Sequence, residues 1–367
     1  MLRVGLEIHV ELAATRKLFC HCSPAFGAAA NTHTCAYCAR REGLATLNEE
    51  AADLTLAAAR LLRCGIPPYS RFVRKVNTSP YLPGGFQYTQ REMPIAGKGS
   101  YGGWDIARIQ LEEDAARPTA NGIDWNRSGI ALMEIVTEPL DATAKQARAF
   151  AESLRDALRS LGVTDGRMEQ GSLRVDANVS LGDGVHTEIK GIASFRHLER
   201  AIDAECARQR VLLEEGDVVT PSILHWRERE RALVPSRGDY RYRWEEAPEM
   251  PPILASKERV TRAVERYGEM RGACESPSAT VGHGETLPKK AAKARNAGEE
   301  TLSIGNVTMD AETIENAARR AIEAVPEAAR FYREGKKRAL AALVGYAVQH
   351  AHVDAKAVSE VLQSLLR

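Results

Sequence analysis

Glu7, His9 and Glu11 occupy alternate positions in the stretch VGLEIHVEL, between Val4, Leu6, Ile8, Val10 and Leu12. On a strand, side chains at i, i+2 and i+4 point the same way, so two carboxylates and an imidazole share one face. A half-solvated strand would account for such a row, and so would a metal or acid–base site. Four further stretches repeat the pattern. Glu112, Glu113 and Asp114 close DIARIQLEEDAA, and Glu134 interrupts ALMEIVTEP, where an unpaired carboxylate among apolar neighbours is costly. Ser172, Arg174, Asp176, Asn178 and Ser180 alternate with Leu173, Val175, Ala177, Val179 and Leu181, while Glu188 and Lys190 share a face of HTEIKGI. Five such strands predict a sheet with one chemically loaded face. Converging carboxylates suit Mg2+, a hard ion usually held by one or two carboxylates plus substrate phosphates. Arg127, Arg174 and Lys190 would neutralise phosphoryl oxygens, which is most of what phosphoryl transfer asks of a protein.

The residues alone therefore point to Mg-dependent phosphoryl transfer on a sheet. The chain has no G-x4-G-K-[ST] loop, and the G-x-G-x-x-G match from Gly97 to Gly102 runs into another strand, so it reads as a hairpin turn. A carbohydrate-active carboxylate pair is the competing reading, weakened by an aromatic content of only 6%.

A second constellation lies in KLFCHCSPAFGAAANTHTCAYC. Cys20 and Cys22, then Cys35 and Cys38, offer four thiolates from two knuckles, a set that suits tetrahedral zinc in a closed structural site. His21 and His33 lie in the same loop, but four sulfurs already fill the shell. Such a zinc would brace a loop rather than do chemistry.

These groups must be positioned by an α+β domain. Helices are predicted over Glu49 to Leu62, Ala144 to Leu161 and Phe195 to Glu215, each ending at a glycine or a Gly-Pro stop. Strands are predicted over Asp105 to Glu112, Ile130 to Thr137, Ser172 to Leu181 and His186 to Ile192. Hairpins and meanders rather than strand–helix–strand units argue for a mainly antiparallel sheet. Residues 1–253 form this domain, 254–305 read as a short linker with a remnant helical region, and 306–367 as a small all-α tail with the stripe Leu340, Leu343, Val344, Ala347 and Val348. A net charge of +1 announces neither a nucleic-acid binder nor a membrane-surface protein. Seven cysteines, four of them clustered, together with the absence of a signal peptide or apolar span, predict a cytoplasmic protein with no membrane partner.

The blocks VGLEIHVEL, KLFC-x-C with C-x-x-C, RIQLEEDAA, DWNRSGIALMEIVTEP, DGRMEQGSLRVDANVSL and TEIKGIASF, in that order, resemble the B subunit of the bacterial and organellar aspartyl/glutamyl-tRNA amidotransferase family. EAVPEAARFYREGKKRALAALVGYAVQ resembles that family's tRNA-contacting tail; Lys336 and Arg338 there are candidates to meet tRNA phosphates, with a solvated helix face as the reading favoured for each residue alone. The resemblance implies a cradle domain similar to glutamine synthetase that uses ATP and Mg2+ to phosphorylate the side-chain carboxylate of Glu or Asp on misacylated tRNA. Ammonia from a partner amidase, in a complex that also holds a small accessory subunit, would then give Gln-tRNA or Asn-tRNA. Carried over by motif, Glu7, His9, Glu113 and Glu134 are the candidate Mg2+ and phosphoryl-transfer residues, and Cys20, Cys22, Cys35 and Cys38 the Zn2+ ligands. Arg127 and Lys190 are expected to balance charge there, and Glu11, Arg174, Asp176 and Glu188 to face the nucleotide.

The chain also departs from that pattern. Asn77-Thr78-Ser79-Pro80-Tyr81 replaces a Tyr-Phe-Tyr-Pro-Asp core, Gln110 replaces a histidine, and Gly191-Ile192-Ala193 replaces Asn-Leu-Asn. The long helical domain before the tail is reduced. Two alternatives follow: a paralogue that activates another carboxylate, free or borne on a carrier or tRNA, and a non-catalytic RNA-binding scaffold. No role beyond packing is assigned to Cys64, Cys206 or Cys274.

Overall fold

The computed structural model describes residues 1–182, 185–236, 242–268, 311–324, 326–333, 340, 343–344, 347 and 355–366. It divides into two compact units, residues 1–279 and 280–367. Strands of the first unit are β1 (Leu2–Glu11), β2 (Val73–Val76), β3 (Phe86–Thr89), β4 (Gly99–Tyr101), β5 (Trp104–Glu113), β6 (Ala131–Thr137), β7 (Leu173–Leu181), β8 (Thr187–Ile192), β9 (Ser222–Arg227), β10 (Ala232–Pro235) and β11 (Arg243–Glu246). Its helices are α1 (Ala36–Arg40), α2 (Glu49–Leu61), α3 (Ala144–Ser160), α4 (Phe195–Glu214) and α5 (Lys257–Gly268).

The main sheet runs β10-β9-β8-β7-β1-β6-β5-β4, with the short Leu140–Asp141 strand on the start of β1. The opening strand is thus central, and each of its flanks is antiparallel. The fold is mixed α+β with an antiparallel-rich sheet, with one exception to the expected pattern. β8 and β9 pair in parallel across α4, which makes one strand–helix–strand unit. Gly102 and Gly103, both at positive φ, close the β4–β5 hairpin where the glycine-rich match falls.

Alternation sorts the sheet's two faces. Val4, Leu6, Ile8 and Val10 are buried with Leu111, Met133, Ile135, Val175 and Val179 in one core that takes in α2, α3 and α4. Asn48, Thr143 and Ser194 start these three helices, each side chain accepting a hydrogen bond from a first-turn amide. Because the helices cover the apolar face, the polar face is left to form a floor. A separate three-stranded sheet, β11-β2-β3, contributes Lys75 and Gln87 to the wall above it. Residues 257–268, inside the stretch read as linker, form α5, whose Arg259 pairs with Asp53 (2.7 Å) and Glu49 (2.6 Å) of α2.

In the second unit, α6 (Ala311–Ala324), α7 (Pro326–Arg333) and α8 (Ala355–Leu365) pack around Ala317, Ala321, Leu343, Ala347, Val358 and Leu362. Leu340 and Val344 lie against this cluster. Val348, Lys336, Arg338 and Cys274 lie outside the described residues. Among the described residues, no helix is long and apolar enough to cross a membrane.

Candidate active site

Register decides which polar side chains meet. On β1, Glu7 stands opposite Asp176 and His9 opposite Arg174 of β7. On the other flank His9 faces Glu134 of β6, and Glu134 in turn faces Gln110 of β5. One ligand atom from each of Glu7, His9 and Glu134 lies within 4.8 Å of the others. Neighbours hold each in place. Asn178 Nδ2 donates to Glu7 Oε1 (3.0 Å), and Gln110 Nε2 donates to Glu134 while its own Oε1 accepts from Arg108 Nε (3.0 Å). His9 Nδ1 is 3.0 Å from Glu112 Oε1, and His9 Nε2 is 3.9 Å from Asp176 Oδ2.

The electrostatics follow from crowding acids in a dry place. Burial pushes Glu134 up, and the nearby charge of Glu112 adds to it, bringing its carboxyl to about 7. Burial works against charge on His9, but the Glu112 hydrogen bond and the carboxylates of Glu134 and Glu112 outweigh it and raise the ring to about 9. Two carboxylates and an imidazole converge with more negative charge than one ring offsets, which is the donor set and the need that a divalent cation meets.

Of this cluster His9 lines a cavity of about 590 Å³, together with Glu112, Lys75, Gln87, Asp114, Asp176, Lys190 and His225, while Glu7 and Glu134 are not in that lining. Lys190 Nζ donates to Asp176 Oδ2 (3.0 Å) and pairs with Glu188. Asp114 is buried between Arg174 (3.1 Å) and Arg127; although burial pushes its carboxyl up, the two guanidiniums hold it below the usual range. Beyond that pair lie a second cavity of about 420 Å³, lined by Arg117, Arg127 and Arg174, and a smaller one reached by Glu11. Burial raises Glu11 to about 7 against the pull of Arg127, 3.9 Å away.

The row of three on β1 is thus divided. Glu7 and His9 join Glu134, whereas Glu11 turns to Arg127 and the second set of cavities. Glu113 is not with the cluster. It shares the apolar face of β5 with Ile109 and Leu111, where Arg41 grips it through Nη1 (2.7 Å) and Nη2 (2.5 Å) and the Tyr88 amide donates to it (3.1 Å). Glu112 occupies the place beside His9 that motif matching gave to Glu113, and alternation from Ile109 and Leu111 carried the signal. Lys75 and His225 were missed, and Asp114, noted among the acids that close DIARIQLEEDAA, was given no role of its own; it follows the end of β5. Gln110 stands where a histidine was expected and positions Glu134. Of the other departures, Gly191, Ile192 and Ala193 line the main cavity, and Asn77 to Tyr81 are not in its lining.

The cysteines form a second cluster. Cys38 Sγ is 3.8 Å from Cys35 Sγ and 4.0 Å from Cys22 Sγ, and all four sulfurs lie within 4.8 Å of one another. Zn–S bonds of about 2.3 Å in a tetrahedron put sulfurs about 3.8 Å apart, so the set fits zinc. Hydrogen bonding from the Cys20 thiol, opposed by burial, brings Cys38 down to about 4, with the Cys35 amide and Lys17 assisting.

Residues 2–261 match the profile of the GatB/GatE catalytic domain. The chain is 39% identical to the B subunit of the aspartyl/glutamyl-tRNA(Asn/Gln) amidotransferase of Thermodesulfovibrio yellowstonii, over 71% of this chain and 59% of that protein. It is 36% identical to the like-named protein of Carboxydothermus hydrogenoformans, over 72% and 64%, and 36% identical to that of Anaeromyxobacter sp. strain K, over 89% and 70%. The chain spans about three fifths of the length of the first of these relatives.

Proposed function

We propose a function from one premise: the chain belongs to the GatB/GatE catalytic-domain family. On this reading it is the activating component of a tRNA-dependent amidotransferase. Its polar sheet face works as a nucleotide cradle of the glutamine-synthetase type. The carboxylate oxygen of a Glu or Asp side chain borne on tRNA attacks the terminal phosphorus of ATP, and ADP leaves. Ammonia from a partner amidase, in a complex with a small accessory subunit, then attacks the carbonyl carbon, and phosphate departs with one former carboxylate oxygen. The observation that carries the reading is the meeting of Glu7 and Glu134 with His9, which lines a cavity ringed by Lys75, Arg174 and Lys190.

Glu7, His9 and Glu134 would hold Mg2+, which when bound neutralises phosphate oxygens. The chain's own residues do the rest. Asn178 and Gln110 orient the two carboxylates, and Glu112 fixes the ring of His9. Lys75 and Arg174 face the cavity as cations for the transferring group, while Asp176 and Glu188 anchor Lys190 on its rim. Asp114 ties Arg127 to Arg174 and so sets the wall between the two larger cavities.

One observation favours a second reading, in which the acceptor differs. Gly191 and Ala193, where the resemblance expects amides, line the main cavity, and a pocket that loses hydrogen-bonding groups changes which acceptor it selects. A hydroxylamine trap separates the two. Protein, Mg2+ and ATP are offered Glu-tRNA, Asp-tRNA, free Glu and free Asp in separate reactions, and hydroxamate and ADP are followed. Hydroxamate only from a misacylated tRNA supports the first reading; hydroxamate from a free acid supports the second; neither product from any of the four contradicts the first and leaves an acceptor outside this set or the non-catalytic scaffold.

A further inference from the structure

The loop that carries Arg127 takes a run of hydrogen bonds from the cysteine loop. Asn31 donates to Asp124 Oδ1 (3.1 Å) and to the Ile123 carbonyl (3.1 Å), and its side-chain oxygen accepts from the Trp125 amide (2.8 Å). The His33 amide donates to Asn126 Oδ1 (2.8 Å), and Asn126 Nδ2 donates to the Ala29 carbonyl (2.7 Å). Nearer the sulfurs, buried Ser128 donates through Oγ to the Cys38 carbonyl (2.6 Å), and the Leu18 amide donates to the Gly129 carbonyl (2.9 Å).

Lys17 stands at the centre of this seam. It is 0% exposed, and its Nζ donates to the Trp125 carbonyl (3.3 Å) and lies 3.5 Å from Cys38 Sγ. Among the described residues it makes no ion pair with a carboxylate, and an ammonium held out of water without a counter-charge is costly. Four thiolates on one divalent cation leave net negative charge, which gives this ammonium a counter-charge through Cys38. A disulfide between any two of the cysteines would remove it.

We propose that Lys17 is a positioning residue that couples the four-cysteine metal centre to the Arg127 loop, its ammonium compensating the metal–thiolate charge on one side and holding the Trp125 carbonyl on the other. The route is short: Cys38 to Lys17 to Trp125, with Cys38 to Ser128 beside it, and then Arg127 on Asp114 and on the Gln170 carbonyl (3.3 Å). The metal therefore sets the wall of the main cavity without touching a substrate. Only the consequence for catalysis rests on the proposed function; the metal and backbone readouts below do not.

The test uses the full chain loaded with zinc or cobalt. Lys17→Met keeps the apolar stem and removes the charge. It is expected to release metal to a chromophoric chelator about 10- to 100-fold faster, the range for loss of a group supporting a metal ligand. The thiolate-to-cobalt absorption band should shift, and residues 123–130 should lose amide-exchange protection while β1, β6 and β7 keep theirs. A second measurement needs no variant: stripping zinc from the wild-type chain is expected to deprotect the same amides. An unchanged release rate and band in Lys17→Met, or wild-type protection at 123–130 that survives zinc removal, would overturn the proposal. So would exchange that rises evenly across the sheet. None of these outcomes depends on turnover, so failure of the proposed reaction would be seen separately in the hydroxylamine trap.

Discussion

Among the described residues two clusters of side chains could hold a metal, and they are assembled in opposite ways. The cysteine centre is local: Cys20 to Cys38 lie in one loop, and α1, whose N-cap is Cys35, brings the last pair together. The carboxylate–imidazole cluster is built across the sheet, with Glu7 and His9 from β1 and Glu134 from β6, and with supporting groups from β5 and β7. The first can form wherever its own loop folds. The second exists only when β1 and β6 are in register, since a slip of one residue would turn the slipped strand's members to the other face. On the proposed function the local site braces and the distributed site reacts, because a reaction needs groups of opposed character held against one another by a rigid frame.

Glu134→Gln sharpens the contrast most. The change keeps shape and removes a ligand charge, so turnover is expected to fall by several kcal/mol, on the order of 10³-fold, with the unfolding midpoint nearly unmoved. Cys22→Ser is the mirror experiment, expected to lose zinc while far-ultraviolet circular dichroism stays intact. Equal losses of turnover and fold in both variants would erase the distinction.

Next comes the neighbouring pair on β5. Glu113→Gln leaves the buried Arg41 guanidinium short of its counter-charge and is expected to cost about 3–5 kcal/mol in denaturant titration. Glu112→Gln, beside His9, should cost less stability and more turnover. Reversed effects would put Glu113 at the reacting face.

Asp114→Asn tests the wall. Its carboxyl is held below its ordinary 3.8, against burial, by Arg174 and Arg127, so its contribution is present above that value and is lost as pH falls through the folded one. The stability difference between wild type and variant is expected to be constant from pH 5 to 7 and to shrink below about pH 4. A gap that does not change with pH would contradict the pairing. The smallest effect is expected from Gly191→Ala. At φ +77° a Cβ would lie 3.1 Å from His225 Nδ1, and the left-handed backbone alone costs about 1–2 kcal/mol in a non-glycine residue. A midpoint shift of zero would show that β8 relaxes at this position.

Much of this was legible in the residues. The central strand, three major helices and the cysteine set follow from period-two alternation, period-3.6 patterning and knuckle spacing, all local signals. Glu134 stood out because a carboxylate inside an apolar strand needs a partner. Two things were not legible. Register between distant strands has no local signature, so neither the division of Glu11 from Glu7 nor the arrival of Lys75 from a second sheet could be read. Glu113 was misplaced although alternation spoke against it, because the motif carried it while Ile109 and Leu111 marked its face as apolar. The parallel β8–β9 pair escaped notice because a helix between two strands does not state which way the second one returns.

The central claim is that a side-chain carboxylate oxygen becomes part of phosphate in the cavity that His9 lines beside Glu7 and Glu134. Glu-tRNA or Asp-tRNA carrying ¹⁸O in that carboxylate, turned over with ATP and ammonia and analysed by mass spectrometry of the phosphate, tests it most directly. The account expects one ¹⁸O per phosphate from the wild-type chain and no labelled phosphate from Glu134→Gln. Unlabelled phosphate formed alongside amide would contradict it.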